Sequence, residues 1–468
     1  MNKSTRPPGI SRRQFLASTG LALAAPTLIP ASAFGQDGKP APSGRIALGV
    51  VGWGMQGPSN TEAFLNLKEC QVVAACDIDK NHLQSAVNRI NDHYKNQDCK
   101  AYHDYKELMA RKDIDAVMLA VPDTWHALVA TEAARNKKDI YGEKPLARTI
   151  AEQQAIVRAV QQNNVIWQTG SWQRSQAPFR KAAEIVRNGL IGKVTRVEVG
   201  LPAGHFDFAG TLKELVQKLS TLPDKPKDPT KIVPGTPAWD LAVSAPPPEL
   251  DYETWVGPSQ MEPYIKTRVH MNWRWNYNVG GGQLLDWIGH HCDIAHWGLD
   301  MDQTGGPIEI EANAEFPPKD AIWNTSGKYH ITCQYPKDIT MVIAGGYREI
   351  RSGAKWIGTD GWVWVDRGGF DASNVDWFRE IPADQYKVKL YRSDNHQKNF
   401  LDCVKSRKPT ITPVETAHHS AIPGHLGLIA MRTGHKIKWD SEKQVIVGDD
   451  EASKMLSREY RSPYKLAV

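Results

Sequence analysis

The chain has 468 residues, of which 41 % are hydrophobic and 23 % charged. This balance excludes a disordered or membrane-embedded chain, and the length exceeds one typical domain, so two are expected. The formal charge is +5, but Lys3, Arg6, Arg12 and Arg13 all fall in the first 33 residues, which hold no acid; the rest lacks the clustered basic face of a nucleic-acid binder.

The N-terminus carries Ser11-Arg12-Arg13-Gln14-Phe15-Leu16, an apolar run through Ile29, and Ala31-Ser32-Ala33. Charge, apolar core and small-residue cleavage site in that order resemble a twin-arginine export signal over residues 1–33. Pro26 interrupts the apolar run, which is too short to span a bilayer, and no later stretch is apolar enough. The expectation is a protein handed to the twin-arginine export machinery, periplasmic or otherwise exported, with no stable membrane anchor. Six cysteines, Cys70, Cys76, Cys99, Cys292, Cys333 and Cys403, are too scattered for a disulfide framework or a zinc ribbon and read as buried thiols.

Residues 44–168 alternate strand and helix patterns. Ile46–Val51 is an apolar strand that runs into Gly52-Trp53-Gly54-Met55-Gln56-Gly57. In such a turn Gly52 permits the tight exit from the strand, Gly54 lets backbone approach a pyrophosphate, and Gly57 lets the next helix pack close. Phosphates would sit on the helix N-terminus. A second strand, Gln71–Cys76, ends at Asp77, twenty residues beyond Gly57. An acid there accepts from a ribose diol and repels a 2′-phosphate, so NAD is expected rather than NADP. Ile114–Val121 is a strand, Trp125–Arg135 a helix, Asp139–Tyr141 a strand, Thr149–Gln162 a helix and Val165–Trp167 a strand.

After a helix at Phe179–Asn188 the pattern turns to strands: Lys193–Leu201, Ile308–Phe316, Tyr329–Tyr335 and Ile339–Gly345, with Pro336-Lys337-Asp338 as a hairpin turn. The fold class expected is an α/β Rossmann nucleotide-binding domain plus an α+β domain with a large, mostly antiparallel open sheet. The second domain, for substrate and oligomerisation, would run over 169–434, with a Pro- and Lys-rich surface loop at 203–260. Residues 435–468 would form a tail packing back on the body. An open sheet of this kind commonly pairs with another subunit, so a homo-oligomer is expected.

Three clusters carry chemistry. Glu143-Lys144-Pro145 follows a strand, where ligands of a doubly wound sheet bind, so Lys144 can reach both a nicotinamide ribose and a substrate hydroxyl. In Gly280–Trp297, Asp286, His290 and Asp293 fall at i, i+4 and i+7, on one helix face. Trp273-Arg274-Trp275-Asn276-Tyr277 is an aromatic run of a kind that stacks on sugar rings or packs a core. The helix face, with His291 and His296, could hold a metal, but it lacks an H-E-x-x-H arrangement, and a metal is superfluous beside a nicotinamide; no metal is expected. Acid–base work fits better, since alcohol oxidation needs a proton taken from oxygen as hydride leaves carbon.

With these motifs in place, together with Val121-Pro122-Asp-Thr-Trp-His126 and Asn399–Cys403, nearly the whole chain beyond residue 33 resembles the Gfo/Idh/MocA oxidoreductase family. The resemblance implies Lys144, Asp286 and His290 as the catalytic set. It implies Pro122, His126 and Glu143 at the nicotinamide side, completing with Gly52, Trp53, Gly54, Met55, Gly57, Asp77 and Lys144 the expected NAD site; an exported enzyme, out of reach of soluble NAD, would keep that cofactor tightly bound. Substrate contacts would come from Arg174, Trp273, Arg274, Tyr277 and His291, although Gln173-Arg174-Ser175 departs from the family's less polar pattern there. The implied activity is oxidation or reduction of a sugar, sugar derivative or cyclitol. Two alternatives are a glycoside hydrolase with transient redox, whose family members do not keep the lysine of Glu-Lys-Pro, and a non-enzymatic sugar-binding or sensor protein.

Overall fold

Ile46–Val51 (β1) is buried at nearly every position, as a strand covered on both faces must be. It lies at the centre of a parallel sheet with Cys70–Cys76 (β2), Lys100–Tyr102 (β3), Ala116–Leu119 (β4), Asp139–Gly142 (β5) and Trp167–Thr169 (β6). The order is β3-β2-β1-β4-β5-β6, with every neighbouring pair parallel. Chain direction across the sheet reverses between β1 and β4, which opens a crevice beyond their carboxyl ends. The structure, a computed structural model, describes residues 44–303 and 305–466. The export-signal reading of residues 1–33 lies outside the described residues.

Local chemistry starts the helices where the sheet needs them. Asp79 caps Lys80–Tyr94 by accepting from the amides of Asn81 and His82. Thr149 and Glu152 form a reciprocal capping box that starts Ile150–Asn163. Helix His396–Ser406, distant in sequence, returns to this domain: Phe400 meets Phe64 and Tyr141 edge-on, with ring centroids 6.1 and 5.9 Å away.

The second sheet is built from Val194–Leu201 (β7), Glu309–Glu315 (β8), Lys328–Tyr335 (β9), Ile339–Gly345 (β10), Gly353–Gly358 (β11), Trp362–Asp366 (β12), Gly369–Ala372 (β13), Ile437–Asp440 (β14) and Val445–Ile446 (β15). Its order is β13-β12-β11-β7-β10-β9-β8-β14-β15. Only the β7–β10 pair is parallel, giving a mostly antiparallel sheet. β9 shows how its faces differ: Tyr329, Ile331, Cys333 and Tyr335 are buried, while Lys328, His330, Thr332 and Gln334 between them are half-exposed. Helices Ala177–Arg187, Gly282–Leu299 and Val414–Thr433 share a core with the buried face. All six cysteines are free and buried.

Two expectations need correcting. Residues 203–260 are not a bare surface loop, because Leu212–Leu219, Pro237–Ala242 and Tyr252–Val256 are helical. Leu215, Leu219, Trp239 and Ala242 bury themselves against Trp275 and Trp323. Nor is 435–468 wholly a tail, since β14 pairs with β8 through Ile437 and extends the second sheet.

Candidate functional site

The turn after β1 is shaped by contacts only glycine tolerates. Gly52 has φ +93°, and a Cβ there would lie 2.3 Å from the Ala120 carbonyl oxygen. A Cβ on Gly57 would lie 2.1 Å from the Gly52 oxygen. Gly54 differs: its Cβ position meets nothing within 4 Å, so the backbone there faces open space. The helix Gln56–Leu65 begins at this point with no side-chain cap and no acid in its first turn, leaving its amide donors available to an anion.

Opposite lies Asp77, at the end of β2. Its Oδ2 accepts from the Trp53 amide at 2.7 Å and its Oδ1 from the Asp79 amide at 2.9 Å. Burial pushes its pKa up, against the pull of these amides and of His82. Gly52, Gly54, Met55, Asp77, Pro122, Glu143 and Lys144 all line one cavity of about 670 Å³, whose far wall includes Trp273 and Arg274 of the second domain. This size is typical of a cofactor or ligand cleft. Open backbone, uncapped helix and anchored acid together fit a dinucleotide.

At the second-domain end, Lys144 Nζ donates to Asp286 Oδ1 at 3.0 Å and to the Asp286 carbonyl at 2.7 Å. Arg274 Nε donates to the same Oδ1, also at 3.0 Å. Burial alone would raise the pKa of Asp286, but Arg274 and Lys144 outweigh it and hold the carboxyl at about 2. Asp286 is therefore a fixed anion that aims two cavity cations. One turn along, His290 is 5 % exposed, and its Nδ1 is buried without a hydrogen-bond partner. Burial, helped by the charges of Lys144 and Arg367, drives its pKa well below the usual histidine value, so the ring is neutral near pH 7. Helix backbone at Gly289 sits against Lys144, with 3.0 Å between its Cβ position and the lysine Cβ. His290 follows Asp286, the partner of Lys144, by one helical turn and feels the lysine's charge, but its side chain does not itself line the cavity.

Glu143 is anchored in the cavity wall. Its Oε1 accepts from Asn60 Nδ2 at 2.7 Å, and a Cβ on Gly170 would lie 2.5 Å from that oxygen, so only glycine leaves it room. His126 does not line the cavity. Its ring nitrogens lie 2.7 Å from the Pro145 carbonyl and 2.9 Å from that of Val121, so it braces the two loops that present Lys144 and Pro122. Trp53 contributes its amide to Asp77, and Gly57 packs on Gly52, outside the cavity wall.

Three expected substrate contacts are corrected. Arg174 is 2 % exposed, and its guanidinium is committed to Asp293 at 2.7 and 2.8 Å and to Asp302 at 2.8 Å. The same pairing removes Asp293 from the reacting face. Tyr277 is sandwiched between Arg148 and Arg432, whose guanidinium carbons lie 4.4 and 3.7 Å from its ring centre. His291 is fully buried in the second domain, where its Nδ1 lies 2.8 Å from the Gly200 carbonyl and 3.2 Å from the Gly353 amide and its Nε2 lies 3.2 Å from Asp366. An i, i+1 step on a helix turns the side chain by about 100°, so His291 cannot share the face of His290.

Asp123 was not singled out in the sequence, yet it lines the cavity and is 2 % exposed. Burial, and then the negative charge of Asp286, raise its pKa to about 7 against the pull of Arg148, Arg274 and Lys144. Its position between Pro122 and His126, just past β4, was the available signal. Asn60, which holds Glu143, carried no signal of its own.

Comparison with known proteins matches this geometry to a family. Residues 46–171 match the family described as "Oxidoreductase family, NAD-binding Rossmann fold", and residues 235–466 match its "C-terminal alpha/beta domain". The chain is 33 % identical over 150 residues to an inositol 2-dehydrogenase of Salmonella typhimurium, covering 32 % of this chain and 43 % of that protein. It is 28 % identical over 159 residues to a glycosyl hydrolase family 109 protein of Shewanella sp., covering 33 % and 34 %. These matches span less than half the length of the curated relatives. Across the fold, the chain is similar to scyllo-inositol dehydrogenase from Lactobacillus casei, solved with NAD(H) and scyllo-inositol: TM-score 0.54, 15 % identity, 84 % of this chain and 99 % of that one. With both of its domains matched to one family and its fold shared with that family's structures, the chain belongs to the Gfo/Idh/MocA oxidoreductases.

Proposed function

We propose that the protein is an NAD-dependent oxidoreductase acting on a ring hydroxyl of a sugar, sugar derivative or cyclitol. The observation that carries this reading is the placement of Lys144, oriented by Asp286, where the nucleotide cavity meets the second domain, with neutral His290, its Nδ1 unpartnered, one helical turn beyond Asp286. A nicotinamide held there supplies a hydride acceptor or donor. His290, neutral and short of one hydrogen bond, takes the hydroxyl proton as base. Lys144 holds the hydroxyl oxygen and stabilises negative charge developing on it. Asp286 keeps Lys144 and Arg274 aimed. Trp273, whose indole stacks on Arg274 at 4.6 Å, gives an apolar face for a sugar ring.

Asp77 favours NAD over NADP, because an anchored carboxylate opposes a 2′-phosphate. We further read the protein as exported through its twin-arginine segment, carrying cofactor with it, and as a homo-oligomer. A compartment without soluble NAD demands a retained cofactor, so the purified protein should release stoichiometric NAD(H) on denaturation, as read by mass spectrometry.

Lys144→Ala is the direct test. Turnover should fall by a factor on the order of 10² to 10⁴ while nucleotide binding stays measurable; unchanged turnover with every accepted sugar removes the assignment. The likeness to a glycosyl hydrolase family 109 protein supports a second reading, transient oxidation with no net redox change. Aglycone release from chromogenic glycosides without net change in cofactor absorbance would favour it, whereas Lys144 in Glu-Lys-Pro favours the dehydrogenase.

A further inference from the structure

Outside the reacting centre, at the Asp77 end of the cavity, three side chains converge from both domains. Asp79 and His82 come from the turn and first helical residues after β2, and His270 comes from the second domain; all three line the cavity. One ligand atom from each lies within 4.8 Å of the others, and no other group of three such side chains converges this way among the described residues. The two imidazole rings lie with centroids 4.8 Å apart, tilted at 57° to each other.

None of these groups is paired directly. His270 Nε2 is 3.7 Å from Asp79 Oδ2, and His82 Nδ1 is 3.8 Å from Asp77 Oδ2. Both separations are too long for hydrogen bonds. The His270–Asp79 separation is close to the spacing of two ligands on one tetrahedral ion, roughly 3.4 Å for bonds near 2.1 Å, and the ligand atom of His82 lies within 4.8 Å of both. Asp79 Oδ1 is occupied by the amides of Asn81 and His82, at 2.8 and 3.1 Å, which fixes the carboxylate and leaves Oδ2 turned toward His270.

The backbone supports the same arrangement. His270 sits at φ +51°, a left-handed conformation uncommon for a residue with a side chain. The two domains are already stitched at this rim: the Lys80 amide donates to the Glu249 carbonyl at 3.0 Å, and the Asp251 amide to that of Ile78 at 3.2 Å.

We infer that Asp79, His82 and His270 form a site for a divalent transition metal of the zinc class, closing the two domains together at the Asp77 end of the cavity. Two imidazoles and one carboxylate suit zinc and its first-row neighbours and disfavour magnesium or calcium, which prefer all-oxygen shells. Three protein ligands leave a fourth position open to the cavity.

The test uses the full-length protein stripped with chelator and titrated calorimetrically with Zn²⁺, with Mg²⁺ as control. Wild type should take one equivalent of Zn²⁺ and none of Mg²⁺, and its thermal midpoint should rise with Zn²⁺. His82→Gln and His270→Asn should each weaken binding at least tenfold; asparagine tolerates the left-handed backbone at 270. Asp79→Asn keeps the helix cap and should weaken binding as well. Co²⁺ on wild type should give the visible bands of a tetrahedral site, a readout independent of how the variants fold. Absence of those bands, or stoichiometric Zn²⁺ binding unchanged in a folded His82→Gln/His270→Asn double variant, would overturn the site.

Discussion

Asp123 and Asp286 are neighbouring carboxyls whose surroundings drive their pKa values apart. Asp286, between Lys144 and Arg274, stays ionised throughout the physiological range, while Asp123 titrates at about 7. Such a separation is a recurring sign of divided acid and base roles. It also links pH to stability. The Asp123 carboxyl ionises near 3.8 when unfolded and near 7 when folded. Between about pH 4 and 7 the unfolded chain thus binds fewer protons at this site, and stability falls as pH rises through that window. Asp123→Asn removes the ionisation. Its thermal midpoint should gain on wild type steadily from pH 4 to 7 and level off above; a constant offset across that range would contradict the assignment.

At the scale of elements, the helix His396–Ser406 locks the nucleotide domain from outside its own stretch of sequence. Phe400 is fully buried, edge-on to both Phe64 and Tyr141. Phe400→Ala should lower unfolding stability by about 3–5 kcal/mol, measured by denaturant titration. This packing was only partly legible in the sequence. The strands β1, β2 and β4 announce themselves by apolar runs beside glycines and polar turn residues. The short β3 and the strands β11 to β13 do not: β11 is set by β7, far back along the chain, and β12 and β13, five and four residues long, follow it in tight hairpins. The Pro-rich stretch at 203–260 misled for a related reason. Leu212, Leu215 and Leu219 have helical spacing, but their partners Trp275 and Trp323 lie far along the chain. In the site, Gly52, Asp77, Lys144 and Asp286 are marked by motif position. Arg174, Tyr277 and His291 look equally available in sequence, and only the fold shows that other side chains use them up.

For the whole molecule, the second sheet covers one face with helices and leaves the other half-exposed, as the alternation along β9 shows. On the oligomer reading proposed above, that face meets a second copy. Light scattering behind size exclusion should then give a multiple of the chain mass, and introducing glutamate at both Thr332 and Gln334 should shift it toward monomer; a wild-type monomer would contradict the reading. One more feature spans the molecule. Pro463, Tyr464 and Lys465 complete the cavity wall, and Tyr464 meets Trp125 edge-on at 5.4 Å. Arg461 ties this segment to the carbonyls of Gly257 and Ser259, and Arg458 ties it to Glu152. These residues leave the ribosome after every other part of the wall has been made. The cavity therefore passes through a stage in biosynthesis when its nucleotide-binding turn is complete and its rim is still open, a window in which a dinucleotide can enter before the last segment seats over it.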